Sequence, residues 1–492
     1  QRQMCIRDSF ELGHCYYYGI GTETNIEEAY TWYARAAESG SEGAQYLAAS
    51  LILDKRCSET DTAKAIAWLR QAAEQGCMYS TMRLGECYLE GNVVPKDAEE
   101  AFQWFQKSAE LGNPAAVNMV GRCYMDGNGV EQDQEKAFQY FQKASEAGDE
   151  SAMFNLADCY FNGLGTEQSE EQAVPWYQKA AEANISIAQY MLGTCYHFGK
   201  GVSPNEELAL HWLRKAAEQD YVGAQYALGT LLFRNEDSGE NDAEAVRWLE
   251  RAAELGDIGS QVKLGVCYQD GYNVLEQGKV CFKEDMEKAV ELFQNAAEQG
   301  DAEGQFQLAN SYRFGLGVKK NVPKMLYWLR LSAMQGYAEA QYALGICYQD
   351  GIGVKADIEK AMDWYERSAA QNYPDAICSV GMYYLDEEDD VETAKRLVYK
   401  AAQMDCPEAQ YLMGMFLYEG DDSEEDEEAV AWFRMAARYQ NHGGAMGMLG
   451  YCYMNGTGVE QDDEMARVWL KRAAECLSLI HISEPTRPEP IS

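Results

Sequence analysis

Apolar positions in this chain recur on two nested periods. Over about a dozen residues they follow the i, i+3, i+4, i+7 spacing of a helix with one buried face, as in Ala224, Ala227, Leu228, Leu231 and Leu232. A polar turn follows, then a second stripe around Trp248 that closes on Arg251-Ala252-Ala253-Glu254-Leu255-Gly256. The whole pattern then starts again. Taking the small residue inside the first stripe as origin, it falls at Gly13, Ala49, Gly85, Gly121, Ala157, Gly193, Gly229, Gly265, Ala309, Gly345, Gly381, Gly414 and Gly450. Ten of the twelve spacings are 36 residues; the others are 44 and 33. Thirteen helix–turn–helix copies predict an all-α solenoid, because one such pair cannot bury its apolar faces alone.

The punctuation supports this reading. Gly-x-Gly follows the first stripe at Gly19/Gly21, Gly127/Gly129, Gly163/Gly165, Gly199/Gly201, Gly315/Gly317, Gly351/Gly353 and Gly456/Gly458. No Gly-Lys-Ser/Thr follows any of them, so they read as turns rather than phosphate loops. A capping column comes next: Asn25, Asp61, Asp97, Asp133, Ser169, Asn205, Asn241, Asp285, Asn321, Asp357, Asp390 and Asp462. Gly40, Gly76, Gly112, Gly148, Gly256, Gly300 and Gly336, or Asn184, Asp220 and Asn372, end the second helix. The origin glycine permits close helix approach at about 1 kcal/mol relative to alanine. All ten tryptophans share one column of the second helix, which reads as a stripe packing each unit on the next.

Composition narrows the function classes. The chain has 80 Asp and Glu against 41 Lys and Arg, a formal charge of -39, which argues against nucleic acid and anionic membrane as partners. No apolar run reaches the roughly 18 residues of a spanning helix. Eight of fifteen cysteines (Cys15, Cys87, Cys123, Cys159, Cys195, Cys267, Cys347 and Cys452) share one column and read as small buried hydrophobes. No C-x-x-C, H-E-x-x-H or G-x-S-x-G occurs, so no catalytic, metal or cofactor residue is assigned. Acidic runs at 386–390 and 421–428 read as solvated turns, or as docking sites for a basic partner or loosely held Ca²⁺. The eighth copy has eight extra residues within 271–283, read as loop drift or a functional projection. Residues 1–9 and 477–492 depart from the repeat. They resemble translated sequencing-adaptor read-through, or natural disordered tails, and are set apart from a continuous repeat region at 10–476. A signal peptide, anchor or catalytic domain would then lie beyond them.

The columns resemble Sel1-like repeats, a branch of the tetratricopeptide superfamily. Residues 340–370 match nearly the whole pattern A-x-x-x-L-G-x-x-Y-x-x-G-x-G-V, D-x-x-K-A-x-x-W and K-A-A-E-x-G. The resemblance implies an α/α superhelix whose first helices line a concave groove. It implies a bacterial, non-enzymatic scaffold or adaptor. One alternative is a membrane-associated quality-control adaptor whose anchor is missing; the other, implied by a cysteine-rich, secreted branch of the family, is a penicillin-binding or β-lactamase-like activity. That branch is bridged at the second alanine of the K-A-A column. Here that column is alanine in twelve copies and Ser145 in the other, which argues for reduced thiols and a cytoplasmic setting.

Superfamily geometry places the residue three before the origin in the groove. Tyr46, Phe154, Tyr190, Tyr226, Phe306, Tyr342 and Tyr411 are the candidate protein-binding residues there. Asp54, Glu90, Asp126, Asp270, Asp350, Asp386 and Glu419 stand near the groove edge. Aromatics beside acids suit a protein or peptide bearing apolar and basic groups. Equally, the rings read as packing between neighbouring first helices.

Overall fold

A computed structural model describes residues 2–233, 239–270, 275–276, 279–280, 285–386, 390–418, 423–438 and 442–483. Among them 26 helices follow one another, two for each of the thirteen copies. The only pairing of strands among the described residues joins Leu275–Glu276 to Lys279–Val280, inside the long turn of the eighth copy. The rest of that turn, residues 387–389 and 419–422 of the acidic runs, and 484–492 lie outside the described residues. Helix Arg2–Tyr18 runs through most of the segment set apart at the start, and helix Asp463–Ser483 runs past residue 476.

The chain divides into two compact units, 1–236 and 237–492. The first holds six complete copies and the helix Val222–Leu232. The second begins with Gly239–Glu254 and holds the remaining six. Within each unit the fold is a continuous stack of helix pairs.

Why these residues form these pairs is visible in their caps. Asn25 Oδ1 accepts from the Glu28 N–H at 3.1 Å, and Asp97 Oδ1 accepts from Glu100 at 3.0 Å. The same arrangement recurs at Asp61, Asp133, Ser169, Asn205, Asp285, Asn321, Asp357, Asp390 and Asp462. Asn241 is the exception: the helix starts two residues earlier, at Gly239, so this residue lies inside it. The cap also closes the turn. The Asp97 N–H donates to the Tyr88 carbonyl at 2.9 Å, and Asp357 donates to Tyr348 at 2.8 Å. The copy with the insertion forms the same bond from Asp285 to Tyr268, and the shortened copy forms it from Asp390 to Tyr384.

Inside each pair, the origin glycine meets the residue that follows the tryptophan column. A Cβ on Gly13 would stand 2.6 Å from the Tyr33 ring, and one on Gly121 would stand 2.7 Å from Phe141. Tyr33, Phe105, Tyr177, Phe293 and Phe433 are fully buried there and form the centre of each copy. The tryptophans are mostly half-buried and join copies. Trp212 packs on the cluster containing Val174, Tyr177 and Ala180, and Trp364 on that containing Met325, Leu326 and Leu329. On the outer face a cation three residues on covers the ring, as Lys179 does over Trp176 at 3.8 Å and Arg367 over Trp364 at 4.6 Å.

Two further devices join consecutive copies. A methyl group on the second glycine of the turn would overlap a backbone carbonyl in the preceding copy: Gly129 meets Ala98, Gly165 meets Gln134 and Gly317 meets Met286. These glycines also sit at positive φ, +70° at Gly165. The second device is a buried glutamine four residues before the origin. Gln341 Nε2 donates to the Ala333 carbonyl at 3.1 Å, and Gln371 Nε2 of its own copy donates to Gln341 Oε1 at 2.9 Å. Gln45, Gln189 and Gln305 repeat this with Gln75, Gln219 and Gln335.

Candidate functional site

The seven candidate aromatics all lie on first helices, four in the first unit and three in the second. In the first unit the Tyr46 ring centroid is 5.8 Å from Tyr79, Phe154 is 5.9 Å from Tyr177, and Tyr190 is 5.2 Å from Tyr221. In the second, Phe306 lies 5.5 Å from Tyr337. Tyr342 sits between Tyr365 at 5.5 Å and Tyr373 at 5.4 Å. Tyr411 sits between Phe433 at 6.0 Å and His442 at 4.9 Å. Six of the seven are therefore half-buried rings. Most are braced by a ring at the start of the next first helix. Tyr226 is the most open, at 37% exposure.

Burial sets the chemistry of these hydroxyls. It pushes Tyr342 up to about 12, against a hydrogen bond to Ser379 that pulls the other way. Tyr46 is raised for the same reason. Both are neutral donors and acceptors at any physiological pH, offering a ring edge and one hydrogen bond.

The acids beside them are only partly at liberty. Asp54 is paired with the Arg83 guanidinium, which also donates to Glu86 at 2.9 Å. Glu90 accepts from Asn92 Nδ2 at 3.3 Å. Asp126 and Asp350 end the helices Pro114–Asp126 and Ala338–Asp350. The side chains of Asp270, Asp386 and Glu419 lie outside those described. Two depressions open near these positions. One of about 690 Å³ is bounded by Arg83, Glu86, Glu90 and the turn holding Cys57 and Glu59. The other, of about 380 Å³, lies beside Tyr365, Ser379, Met382, Tyr383 and Glu408.

The cysteine column is buried except at Cys15, which is partly so. Burial raises the thiols of Cys123 and Cys195 to about 11 and that of Cys159 to about 12, so they stay protonated and pack as small hydrophobes. The described histidines are engaged in the scaffold. His14 Nδ1 is 2.8 Å from the Tyr33 hydroxyl, and His442 caps the helix Gly443–Asn455 while its Nε2 lies 3.1 Å from Glu408. His197 and His211 meet the neighbouring rings of Phe198 and Trp212 edge-on. No helix among the described residues is long and apolar enough to cross a membrane.

Sequence reasoning missed the glutamine column and the buried residue after each tryptophan. The first had a signal, since Gln45, Gln189, Gln225, Gln261, Gln305, Gln341 and Gln410 recur at one position. The second had a weaker one, because tyrosine, phenylalanine, leucine and valine alternate there.

The Sel1 repeat profile matches twelve segments of the chain: 9–41, 44–77, 79–113, 114–149, 150–185, 186–221, 222–257, 258–301, 302–337, 338–373, 407–438 and 444–476. The segment between the tenth and eleventh matches still forms a helix pair, Pro374–Asp386 and Val391–Gln403, although Leu397 replaces the tryptophan and the Gly-x-Gly turn is absent. Among solved structures, c5321, a protective antigen of uropathogenic Escherichia coli with an SLR fold, is 31% identical. That match covers 86% of this chain and 91% of that one, with a TM-score of 0.65. A Sel1 repeat protein from Oxalobacter formigenes is 29% identical over 64% of this chain and 88% of its own, with a TM-score of 0.47. Cysteine rich protein B of Helicobacter pylori is 29% identical over 27% of this chain and 96% of its own, with a TM-score of 0.22. No curated protein matches the chain.

Proposed function

We propose a function from one premise: the chain belongs to the Sel1 repeat family, whose repeats generally serve as protein-interaction scaffolds. On this reading it is a non-enzymatic adaptor. It holds a protein or peptide bearing apolar and basic groups along the first-helix faces of its units. The observation that carries the reading is the aromatic column. One flank of six of the seven rings is occupied by a scaffold ring, which lowers the entropy cost of presenting the other to a partner. Tyr226, the most exposed, is the position with most to offer. The depressions beside Arg83 and Met382 add concave, mixed apolar and polar relief near the same faces. The non-catalytic part of the reading draws on His14 and His442, which bond to Tyr33 and cap a helix within the scaffold.

The test is affinity capture from a bacterial lysate with the wild-type chain and with Tyr190→Ser, Tyr226→Ser and Tyr342→Ser variants. Circular dichroism would confirm that each variant keeps its helix content. Loss of a specific captured protein in folded variants is the expected result. An unchanged set of captured proteins would assign the rings to packing alone and remove this face from consideration. Turnover of a chromogenic cephalosporin by the purified chain, abolished by a point change that leaves the fold intact, would overturn the non-enzymatic reading.

A further inference from the structure

One copy reverses the charge of the chain. Between residues 302 and 337 there are five basic residues, Arg313, Lys319, Lys320, Lys324 and Arg330, against a single acid, Glu303. In every other copy acids equal or outnumber bases. The second helix of this copy, Val322–Met334, contains no acid, whereas every other second helix carries at least one.

Its outward face is also unusually apolar. Leu331 stands where most copies place the cation that covers the tryptophan ring, and Met334 stands where nine copies carry glutamate. Met334 is 77% exposed and Tyr327 is 58% exposed. Residues 323, 327, 330, 331 and 334 share one side of the helix by the 3.6-residue repeat. The turn contact differs too. Gly353 of the following copy rests on the side chains of Val322 and Leu326, where most of these glycines meet a backbone carbonyl. An open depression of about 610 Å³ results, bounded by Val322, Pro323, Leu326, Tyr327, Arg330 and Leu331. Arg330 makes no ion pair with any described residue, Lys319 and Lys320 are exposed, and Lys324 reaches only the Tyr312 ring and hydroxyl.

We infer that the outward face of Val322–Met334 is a docking surface for an acidic amphipathic segment of another protein. The apolar band takes the segment's hydrophobic side. Lys319, Lys320, Lys324 and Arg330 flank it and take its carboxylates. Charge complementarity selects this occupant, since a basic segment would be drawn to the rest of a chain at -39. Long anionic polymers and membranes, which extend well past one copy, would meet that acidic remainder and be repelled. A second copy would place one basic patch on an acidic surface elsewhere, a head-to-tail contact that builds rings or open filaments rather than a self-complementary pair. The surface lies on a second helix, so it stands or falls independently of the first-helix reading above.

The probe is a fluorescein-labelled synthetic helix of about 14 residues, roughly 21 Å long and matched to this helix. It has Leu and Trp on one side and Glu on the other; a control peptide has Lys for every Glu. Binding to the full chain is read by fluorescence anisotropy. The acidic peptide is expected to bind and to weaken as salt rises. The Lys324→Glu/Arg330→Glu double variant should raise its Kd by at least about tenfold, a loss of about 1.4 kcal/mol. Tyr327→Ser should also weaken it, while Lys96→Glu/Lys143→Glu, the same charge change elsewhere, and Tyr226→Ser should leave it unchanged. Absence of binding, equal binding of the lysine peptide, or equal loss in the two double variants overturns the inference. So does binding of phosphatidylserine vesicles or duplex RNA through the same residues. Self-association in sedimentation equilibrium that the same double variant abolishes would assign the face to a second copy instead.

Discussion

The contact between Gly165 and the Gln134 carbonyl can be isolated by one methyl group. Gly165 lies at φ +70°, so Gly165→Ala places an L-residue in the left-handed region, which costs about 1–2 kcal/mol. Its new Cβ would also overlap the Gln134 carbonyl oxygen in the first turn of helix Gln134–Glu146. That oxygen belongs to backbone, which cannot rotate aside as a side chain can, and forced overpacking adds about 1–3 kcal/mol. The expected total is about 2–5 kcal/mol. Two controls separate the parts. Gly148 has φ +91° and Gly21 has φ +73°, with nothing within 4 Å of either added Cβ. Gly148→Ala and Gly21→Ala should therefore cost only the conformational 1–2 kcal/mol. Repeat stacks do not unfold strictly in two states, so urea midpoints are best joined to hydrogen exchange followed peptide by peptide. Gly165→Ala should lose protection at residues 134–146 and at 150–165 together. If Gly165→Ala costs no more than Gly148→Ala, the close approach does not hold the copies together and the reasoning fails.

Phe105→Ala, which empties the fully buried site against Gly85, should cost about 3–5 kcal/mol in urea unfolding. Trp104→Ala, at a half-buried ring, should cost less; the reverse order would refute the division between core and joining residues. Gln341→Leu removes one partner each from the Ala333 carbonyl and the Gln371 amide, which keep the Gly336 N–H and the Gly336 carbonyl, and should destabilise the second unit by about 0.5–1.5 kcal/mol per bond lost. Burial raises the Asp158 carboxyl, outweighing hydrogen bonds from Tyr177 and Asn162. The folded state therefore binds this proton more tightly than the unfolded state, so the group favours folding at low pH and opposes it once ionised. Asp158→Asn should raise the urea midpoint at pH 7 and leave it unchanged near pH 3. A gain that persists at pH 3 would show that the effect is not one of charge.

The helix pairs were legible because their signals are local. Asn25 and Asp97 cap by their own side chains, and Gly148 ends a helix by its own φ, so type and position alone announce them. Asn241 misled for the same reason: a capping residue was present, but the helix was extended past it to Gly239. Contacts between copies were harder to read. At Gly165 the turn and the close approach both demand glycine, so one letter hides two requirements. The core position after each tryptophan needs volume rather than a particular residue, and Tyr33, Leu69 and Phe105 satisfy it equally. For the candidate site, aromatics at the right spacing were visible. How much of each ring is covered depends on a residue about 31 positions later, such as Tyr221 beneath Tyr190 or His442 beside Tyr411.

The bond from the capping N–H to the tyrosine carbonyl gives ten of the thirteen copies their own gauge of length. It closes between Tyr384 and Asp390 across the shortest turn and between Tyr268 and Asp285 across the longest. The bond closes whether residues are gained or lost between those two points, and the phase of the following helix is kept. Such a chain can acquire new loops at this one place in any copy that has the bond without shifting the register of the copies beyond it. The same interval in any other such copy is then the natural position for grafting a foreign segment.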